Sequence, residues 1–230
     1  MANTRNIALN VLLKIENEGA YSNIALNNAI KENRLSGVDS SFVSALVYGV
    51  LERRITLDYI IRSYSKIPLR KIETKTKNIL RLGILQLLFM DKVPDSAAVN
   101  ESVNLAKKHK LQKSSGFING ILRNITRAEV KYTLPDEKDR VRYLSVKYSV
   151  PENIVKLWVN SYGENNAEQL LASLNGRAKI CCRVNTLRTD ADTLIKKLSD
   201  EGVVAEKIPF INNALYLENT RLRMKKPVKC

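Results

Sequence analysis

The chain has 230 residues, of which 38 are lysine or arginine and 23 are aspartate or glutamate, so its formal net charge is +15. Its apolar fraction of 44% excludes a disordered basic tail, because disordered chains lack apolar residues. The longest apolar run, Ile84 to Met90, is far shorter than the roughly 20 residues that span a bilayer, and the first residues lack the apolar segment of a signal peptide. We therefore expect a cytoplasmic protein without a membrane partner.

The first 130 residues show helical apolar spacing throughout and no strand pattern. The predicted helices cover 3–15, a segment capped by Ser22, a segment capped by Asp39 or Ser40, a segment starting at Thr56, and then 70–90, 95–106 and 114–127. Gly116 and Gly120 are four residues apart in the last helix, and we expect them to be packing notches that let helix backbones approach closely. The sequence therefore predicts an all-helical bundle.

The pattern changes after the breaker Leu134-Pro135-Asp136. Further helices are predicted at 137–147, 151–161 and 164–174, then a strand at 178–185, a helix capped by Asp190 or Asp192, and short strands at 203–205 and 214–217. The expected organisation is an all-helical domain at 1–134, a small α+β domain at 135–218 and a basic tail at 219–230. A protease-sensitive joint is expected near residues 132–137.

Cysteine and histidine are too few for a metal site or a disulfide framework. The chain has three cysteines, Cys181, Cys182 and Cys230, and one histidine, His109. We expect Cys181 and Cys182 to alternate across a strand as reduced residues, and His109 to be a solvated loop residue. The sequence therefore predicts no metal.

Positive charge is concentrated in one part of the chain. Residues 61–135 contain 15 basic and 5 acidic side chains, whereas residues 1–60 contain 6 of each. Such a concentration indicates a patch for a polyanion, because each phosphate neutralised by lysine or arginine releases counterions. The alternative is a solvated, lysine-rich helical surface.

Several motifs occur in a fixed order: Ile79-Leu-Arg-Leu-Gly-Ile-Leu-Gln-Leu-Leu-Phe, Val93-Pro94, Ala98-Val-Asn-Glu-Ser-Val-Asn-Leu-Ala-Lys and Gly116-Phe-Ile-Asn-Gly-Ile-Leu-Arg. Together they resemble the RNA-binding fold of the NusB transcription antitermination family. Farther along come Tyr148-Ser-Val-Pro151, Leu157-Trp158, Tyr162-Gly163 and Arg183-Val-Asn-Thr-Leu-Arg188. These resemble the small RNA-binding subdomain of the ribosomal RNA small subunit methyltransferase B family, in which it follows a NusB-like domain. The resemblance implies a NusB-like helical bundle followed by a small α+β domain.

The resemblance makes RNA the expected polyanion. Ser115, Asn119, Arg123 and Arg127 recur every four residues and form one polar stripe, although Asn119 and Arg123 could instead have structural roles. The residues expected to contact RNA in the bundle are Lys71, Lys75, Lys77, Arg81, Lys107, Lys108, Lys110, Lys113, Ser115, Asn119, Arg123 and Arg127. In the second domain they are Arg183, Asn185 and Arg188, where Asn185 could hold a phosphate or a turn; Trp158 is expected in the core.

The resemblance further implies the substrate-recognition portion of an S-adenosylmethionine-dependent 16S rRNA (cytosine-C5) methyltransferase. The Pro-Cys and Thr-Cys motifs and the cofactor-binding domain of that family have no counterpart here, so we expect this chain to bind no cofactor and to be inactive alone. A NusB-type antitermination factor and a helical protein-interaction module remain alternatives. A truncated product, an interrupted gene and a stand-alone RNA-binding protein also remain open.

Overall fold

A computed structural model describes residues 4–174 and 179–218 of the chain. The predicted tail at 219–230, with Cys230, lies outside the described residues, as does the start of the strand predicted from Ala178. The chain divides into two units, residues 1–174 and 175–230. Each unit is described by itself below.

The first seven helices form the bundle that the apolar spacing predicts. They are α1 (Thr4–Glu18), α2 (Ser22–Glu32), α3 (Gly37–Glu52), α4 (Arg54–Tyr64), α5 (Thr74–Phe89), α6 (Asp95–Lys108) and α7 (Gln112–Arg127). The expected N-caps of α2 and α3 are wrong, because Ser22 is already helical and α3 begins before Asp39. The Ser40 hydroxyl instead donates to the Gly37 carbonyl, 3.0 Å away.

Helix α5 is the centre of the bundle. Every residue from Asn78 to Gln86 is buried, so neighbouring helices cover this stretch on all sides. Glycine permits the closest approaches: a Cβ at Gly83 would lie 2.8 Å from Leu122, and one at Gly49 would lie 2.9 Å from Leu85. These are the packing notches of the fold.

The prediction that Gly116 and Gly120 are packing notches is wrong. Both residues are exposed on α7, and a Cβ at either position would meet no atom within 4 Å. Their four-residue spacing places them on one helix face, but that face turns away from the bundle.

Three further helices belong to the first unit: α8 (Arg140–Tyr148), α9 (Glu152–Tyr162) and α10 (Glu164–Leu174). They enclose a small core that includes Leu144, Val155 and Leu171, with Trp158 packed against it as expected. Helix α8 starts three residues later than predicted, where the Asp139 carboxylate accepts the Arg142 N–H at 3.3 Å.

Helix α8 is tied to α4 of the bundle. The Thr56 hydroxyl donates to the Val146 carbonyl at 2.5 Å, and the Ile55 N–H donates to the Ser149 hydroxyl at 3.0 Å. Thr56 thus satisfies a carbonyl in the last turn of α8, where the helix offers no donor of its own. These contacts explain why the compact units divide at 174/175, whereas the expected domain boundary lies at 134/135.

The second unit is a small α+β fold, as predicted. Its elements are β1 (Ile180–Arg183), α11 (Ala191–Asp200), β2 (Val204–Ile208) and β3 (Ile211–Glu218), and the antiparallel sheet has the order β1-β3-β2. Asp190 caps α11 by accepting the Thr193 N–H at 2.8 Å, and Gly202 follows the helix with a φ of +79°.

We expect Thr56→Val to lower the free energy of unfolding by about 1–3 kcal/mol. The substitution keeps the shape of the side chain but leaves the Val146 carbonyl without its donor. Chemical denaturation of the full chain measures the change. Ser63→Ala is the control on the same helix, since the exposed Ser63 hydroxyl contacts only the Tyr59 carbonyl one turn away, and it should change stability by less than about 0.5 kcal/mol. Equal effects of the two substitutions would contradict the role assigned to Thr56.

Candidate nucleic-acid interface

A polar groove runs between α6 and α7. The apolar side of α7, with Ile118, Leu122 and Ile125, is buried in the bundle, which leaves its polar stripe at the surface. One cavity of about 470 Å³ is lined by Asn100, Val103, Asn104, Lys107, Ser115, Gly116, Asn119 and Arg123. A second, of about 320 Å³, shares Asn100 and Arg123 and continues to Arg127. We call these two adjoining cavities the α6–α7 groove.

The predicted stripe lies along one wall of this groove. Arg123 and Arg127 are exposed, and Ser115 and Asn119 are half-buried. The Arg123 Nε donates to the Asn119 Oδ1 at 2.9 Å, so Asn119 orients the guanidinium rather than bonding a neighbouring loop. The remaining guanidinium N–H groups keep their donor capacity for an acceptor in the groove.

The opposite wall contains residues that the sequence prediction missed. Ser96, Asn100 and Asn104 follow one another every four residues along α6, and Lys107 continues the row. Asparagine carries no charge, so these residues do not add to the concentration of basic residues that indicated RNA binding. Their four-residue spacing, which places them on one face of α6, is the signal that the sequence contains. Asp95 is the acidic residue in the described lining of the groove.

The loop between α6 and α7 adds positive charge at one end of the groove. Lys107, Lys108, Lys110 and Lys113 are all exposed there, next to the free N–H groups at the start of α7. The loop and the start of α7 thus place positive charge at the same end of the groove.

The expectation for His109 is wrong. The ring is half-buried, and its Nε2 lies 2.7 Å from the Asn6 Oδ1 on α1. Burial lowers the pKa of His109, and the nearby charges of Lys75 and Lys108 lower it further. The influence of the Lys75 charge on this ring shows that Lys75 lies near the basic loop.

The prediction that Arg81 contacts RNA is wrong. Its guanidinium is buried and binds both carboxylate oxygens of Asp58, at 2.7 and 2.9 Å, and Glu16 at 3.0 Å. Arg81 lies in the central helix, where a charge needs partners within the protein. Of the other residues predicted on this helix and before it, Lys71 is exposed, whereas Lys75 and Lys77 are half-buried.

Arg183, Asn185 and Arg188 are all exposed in the second unit. The Asn185 Oδ1 accepts the Leu187 N–H at 3.2 Å, and its carbonyl accepts the Arg188 N–H at 3.0 Å. Of the two roles left open for Asn185, the structure therefore shows the turn. A shallow cavity of about 290 Å³ lies along residues 183–187.

Residues 4–174 and 179–218 contain no group of three potential metal ligands and no helix long and apolar enough to cross a membrane.

Comparison with known families agrees with this geometry. The model of the NusB family matches residues 2–127, which is more than half of the chain and includes both walls of the α6–α7 groove. The chain belongs to the NusB family. A second model, the Methyltr_RsmF/B-like ferredoxin-like domain, matches residues 150–222. Both resemblances noted in the sequence are confirmed, in the same order along the chain.

Two relatives show how these parts occur elsewhere. A protein of Bacillus subtilis (strain 168), named a probable ribosomal RNA small subunit methyltransferase B, is 35% identical over 93% of this chain and 47% of its own length. Transcription antitermination protein NusB of Nocardioides sp. is 36% identical over 54% of this chain and 90% of its own length. The chain spans about half the length of the methyltransferase relatives that it matches.

A solved structure supports the fold. The crystal structure of PH0851 has a TM-score of 0.62 and 16% sequence identity, over 94% of this chain and 48% of the other. The likeness in fold thus extends over nearly all of this chain, through both the helical bundle and the α+β unit.

The buried Arg81 network should make the chain sensitive to acid. Burial raises the pKa of Glu16, but the hydrogen bond from Asn78 and the charge of Arg81 outweigh it, so the net shift is downward. A carboxylate with a lowered folded-state pKa contributes stability above its unfolded pKa of about 4.3, and this is lost as the pH falls through the folded value. We therefore expect Glu16→Gln to be less stable than wild type at pH 7, with a difference that shrinks below about pH 4.3.

Denaturation at a series of pH values measures this difference. Glu18→Gln changes an exposed glutamate on the same helix and serves as the control. A stability difference between wild type and Glu16→Gln that stays constant down to about pH 3 would contradict the role of the network.

Proposed function

We propose that the chain binds RNA and that the α6–α7 groove is the main contact. The observation that supports this most directly is the convergence of Lys107, Arg123 and Arg127 with three asparagines on one groove. Arginine and lysine neutralise phosphates, while asparagine side chains donate to and accept from sugar and backbone oxygens. These contacts position an RNA backbone without reading its sequence.

The start of α7 favours a phosphate at one end of the groove. Its first backbone N–H groups have no partner within the helix, and the helix dipole adds partial positive charge. Lys107, Lys108, Lys110 and Lys113 surround this end. We propose that an RNA strand enters here and follows the polar stripe toward Arg127.

We further propose that the RNA is ribosomal, and specifically 16S rRNA. The helical bundle and the second domain would then together be the substrate-recognition portion of an S-adenosylmethionine-dependent rRNA (cytosine-C5) methyltransferase. The named Bacillus relative supports this proposal, because it matches both parts of the chain. A NusB-type antitermination role is favoured by the match to residues 2–127 alone, but it leaves the domain at 150–222 without a function.

RNA binding through phosphates should depend steeply on salt. About six phosphate contacts would weaken the affinity about 1,000-fold between about 50 and 200 mM salt. Changing Lys107, Lys108 and Lys110 together to glutamate should weaken binding to unrelated RNAs by roughly 10- to 100-fold and flatten the salt dependence. Fluorescence anisotropy with a labelled structured RNA, at several salt concentrations, measures both effects.

The matched control reverses three exposed lysines away from the groove, Lys31, Lys138 and Lys156, and so changes the net charge equally. This control variant should bind RNA with nearly the affinity of the wild type. Equal losses in the two triple variants would show that overall charge, rather than the groove, determines binding. A flat salt profile of the wild type would contradict phosphate contact altogether.

We expect the chain alone to bind no S-adenosylmethionine and to methylate no RNA. Addition to cytosine requires an activated thiolate, whereas burial raises the pKa of Cys182, and Cys181 is an exposed strand residue. Titration calorimetry with S-adenosylmethionine and incubation of rRNA with the labelled donor test this expectation. Labelling that disappears in Cys181→Ser or Cys182→Ser would overturn it.

A further inference from the structure

The sheet of the second unit has two different faces. Leu215 is fully buried on one face, and Cys182 and Lys207 lie directly opposite it on the neighbouring strands. The Lys207 ammonium lies 2.8 Å from the Asp192 carboxylate of α11, so α11 covers this face.

The other face presents a tyrosine at its centre. Successive residues of a strand point to opposite faces, so Tyr216, next to Leu215, points away from α11. Tyr216 lies on the middle strand, directly between Cys181 on β1 and Glu206 on β2. No helix within residues 179–218 packs on this open face, which we call the Tyr216 face.

Two cations flank the tyrosine on the β1 side. The Lys179 ammonium lies 4.6 Å from the centre of the Tyr216 ring. Arg183 is exposed on the same face of the sheet as Cys181, and its partner across the sheet is Ala214, whose small side chain leaves room beside the ring. Glu206 borders the ring on the opposite side, and its negative charge would repel phosphates toward the β1 side.

Long-range attraction does not explain a role for this face. Residues 179–218, which form the sheet and its helix, contain six basic and six acidic side chains, so the net positive charge of the second unit lies outside them. An aromatic ring with cations on one side is instead the arrangement that stacks an unpaired base while the adjoining phosphate is neutralised.

We propose that the Tyr216 face binds one unpaired base of RNA, stacked on the Tyr216 ring, with Arg183 and Lys179 on the adjoining phosphates. The proposal rests on the RNA binding proposed above and adds a contact for single-stranded RNA. An exposed cation–π contact is weaker than base–aromatic stacking, so the base displaces Lys179 from the ring. The freed ammonium then remains within reach of the phosphate.

Binding of single-stranded and paired RNA by the full chain tests the proposal. The probes are a labelled, unstructured RNA of about 12 nucleotides and a duplex of the same length. We expect Tyr216→Ala to bind the single strand about 5- to 100-fold more weakly, with an unchanged salt slope, because it removes stacking and no charge. Duplex binding should be unchanged, since paired bases are not free to stack. Tyr216→Phe should bind as wild type, and Tyr21→Ala, which removes an exposed tyrosine of the first unit, is the control.

The outcomes distinguish stacking on the Tyr216 face from the RNA binding proposed for the chain as a whole. Unaltered binding of the single strand by Tyr216→Ala overturns it, as does an equal loss for the duplex. If the wild type binds neither the single strand nor the duplex, the proposed function itself is contradicted. A protein partner on this face would leave all RNA affinities unchanged, and this also overturns the proposal.

A second measurement uses the wild-type chain, so its result does not depend on whether the Tyr216→Ala variant folds. Photo-crosslinking with 4-thiouridine in the single-stranded probe, followed by peptide mass spectrometry, should place a crosslink at Tyr216 on β3. The duplex probe should give crosslinks at the α6–α7 groove and none at Tyr216. Single-strand crosslinks confined to the groove would overturn the proposal.

Discussion

The burial of α5 on all sides from Asn78 to Gln86 is the constraint on which the rest of the bundle depends. A helix covered on every side must satisfy its polar side chains inside the protein, since water cannot reach them. Arg81 therefore binds Asp58 and Glu16 from α4 and α1, and Gln86 accepts a hydrogen bond from Arg5 at 2.7 Å. These contacts fix the neighbouring helices around α5.

The same packing determines where the surface charge can act. Gly83 lets α5 approach Leu122 of α7, which buries the apolar side of α7 and turns its polar stripe outward. The stripe then meets the asparagine row of α6 across the α6–α7 groove. The proposed interface is thus a consequence of how closely α5, α6 and α7 pack. The two units would contribute differently to RNA binding, because the first supplies the charged α6–α7 groove and the second supplies an aromatic face.

Much of the fold could be predicted because its signals are local. The helices of the bundle, the three helices before residue 174 and the βαββ order of the second unit follow from apolar spacing and from caps such as Asp190. Errors concentrate where a residue depends on a distant partner. His109, for example, is held by Asn6, more than 100 positions earlier in the chain.

The sequence by itself determined the helical periodicity, the concentration of basic residues in 61–135 and the order of the two family motifs. Only the tertiary structure decided that Arg81 is a buried ion-pair partner while Arg123 lines a groove, and that Gly83 rather than Gly116 is a packing notch. The physical reason is that periodicity shows which residues share a helix face. Whether another helix covers that face depends on contacts between segments far apart in the chain.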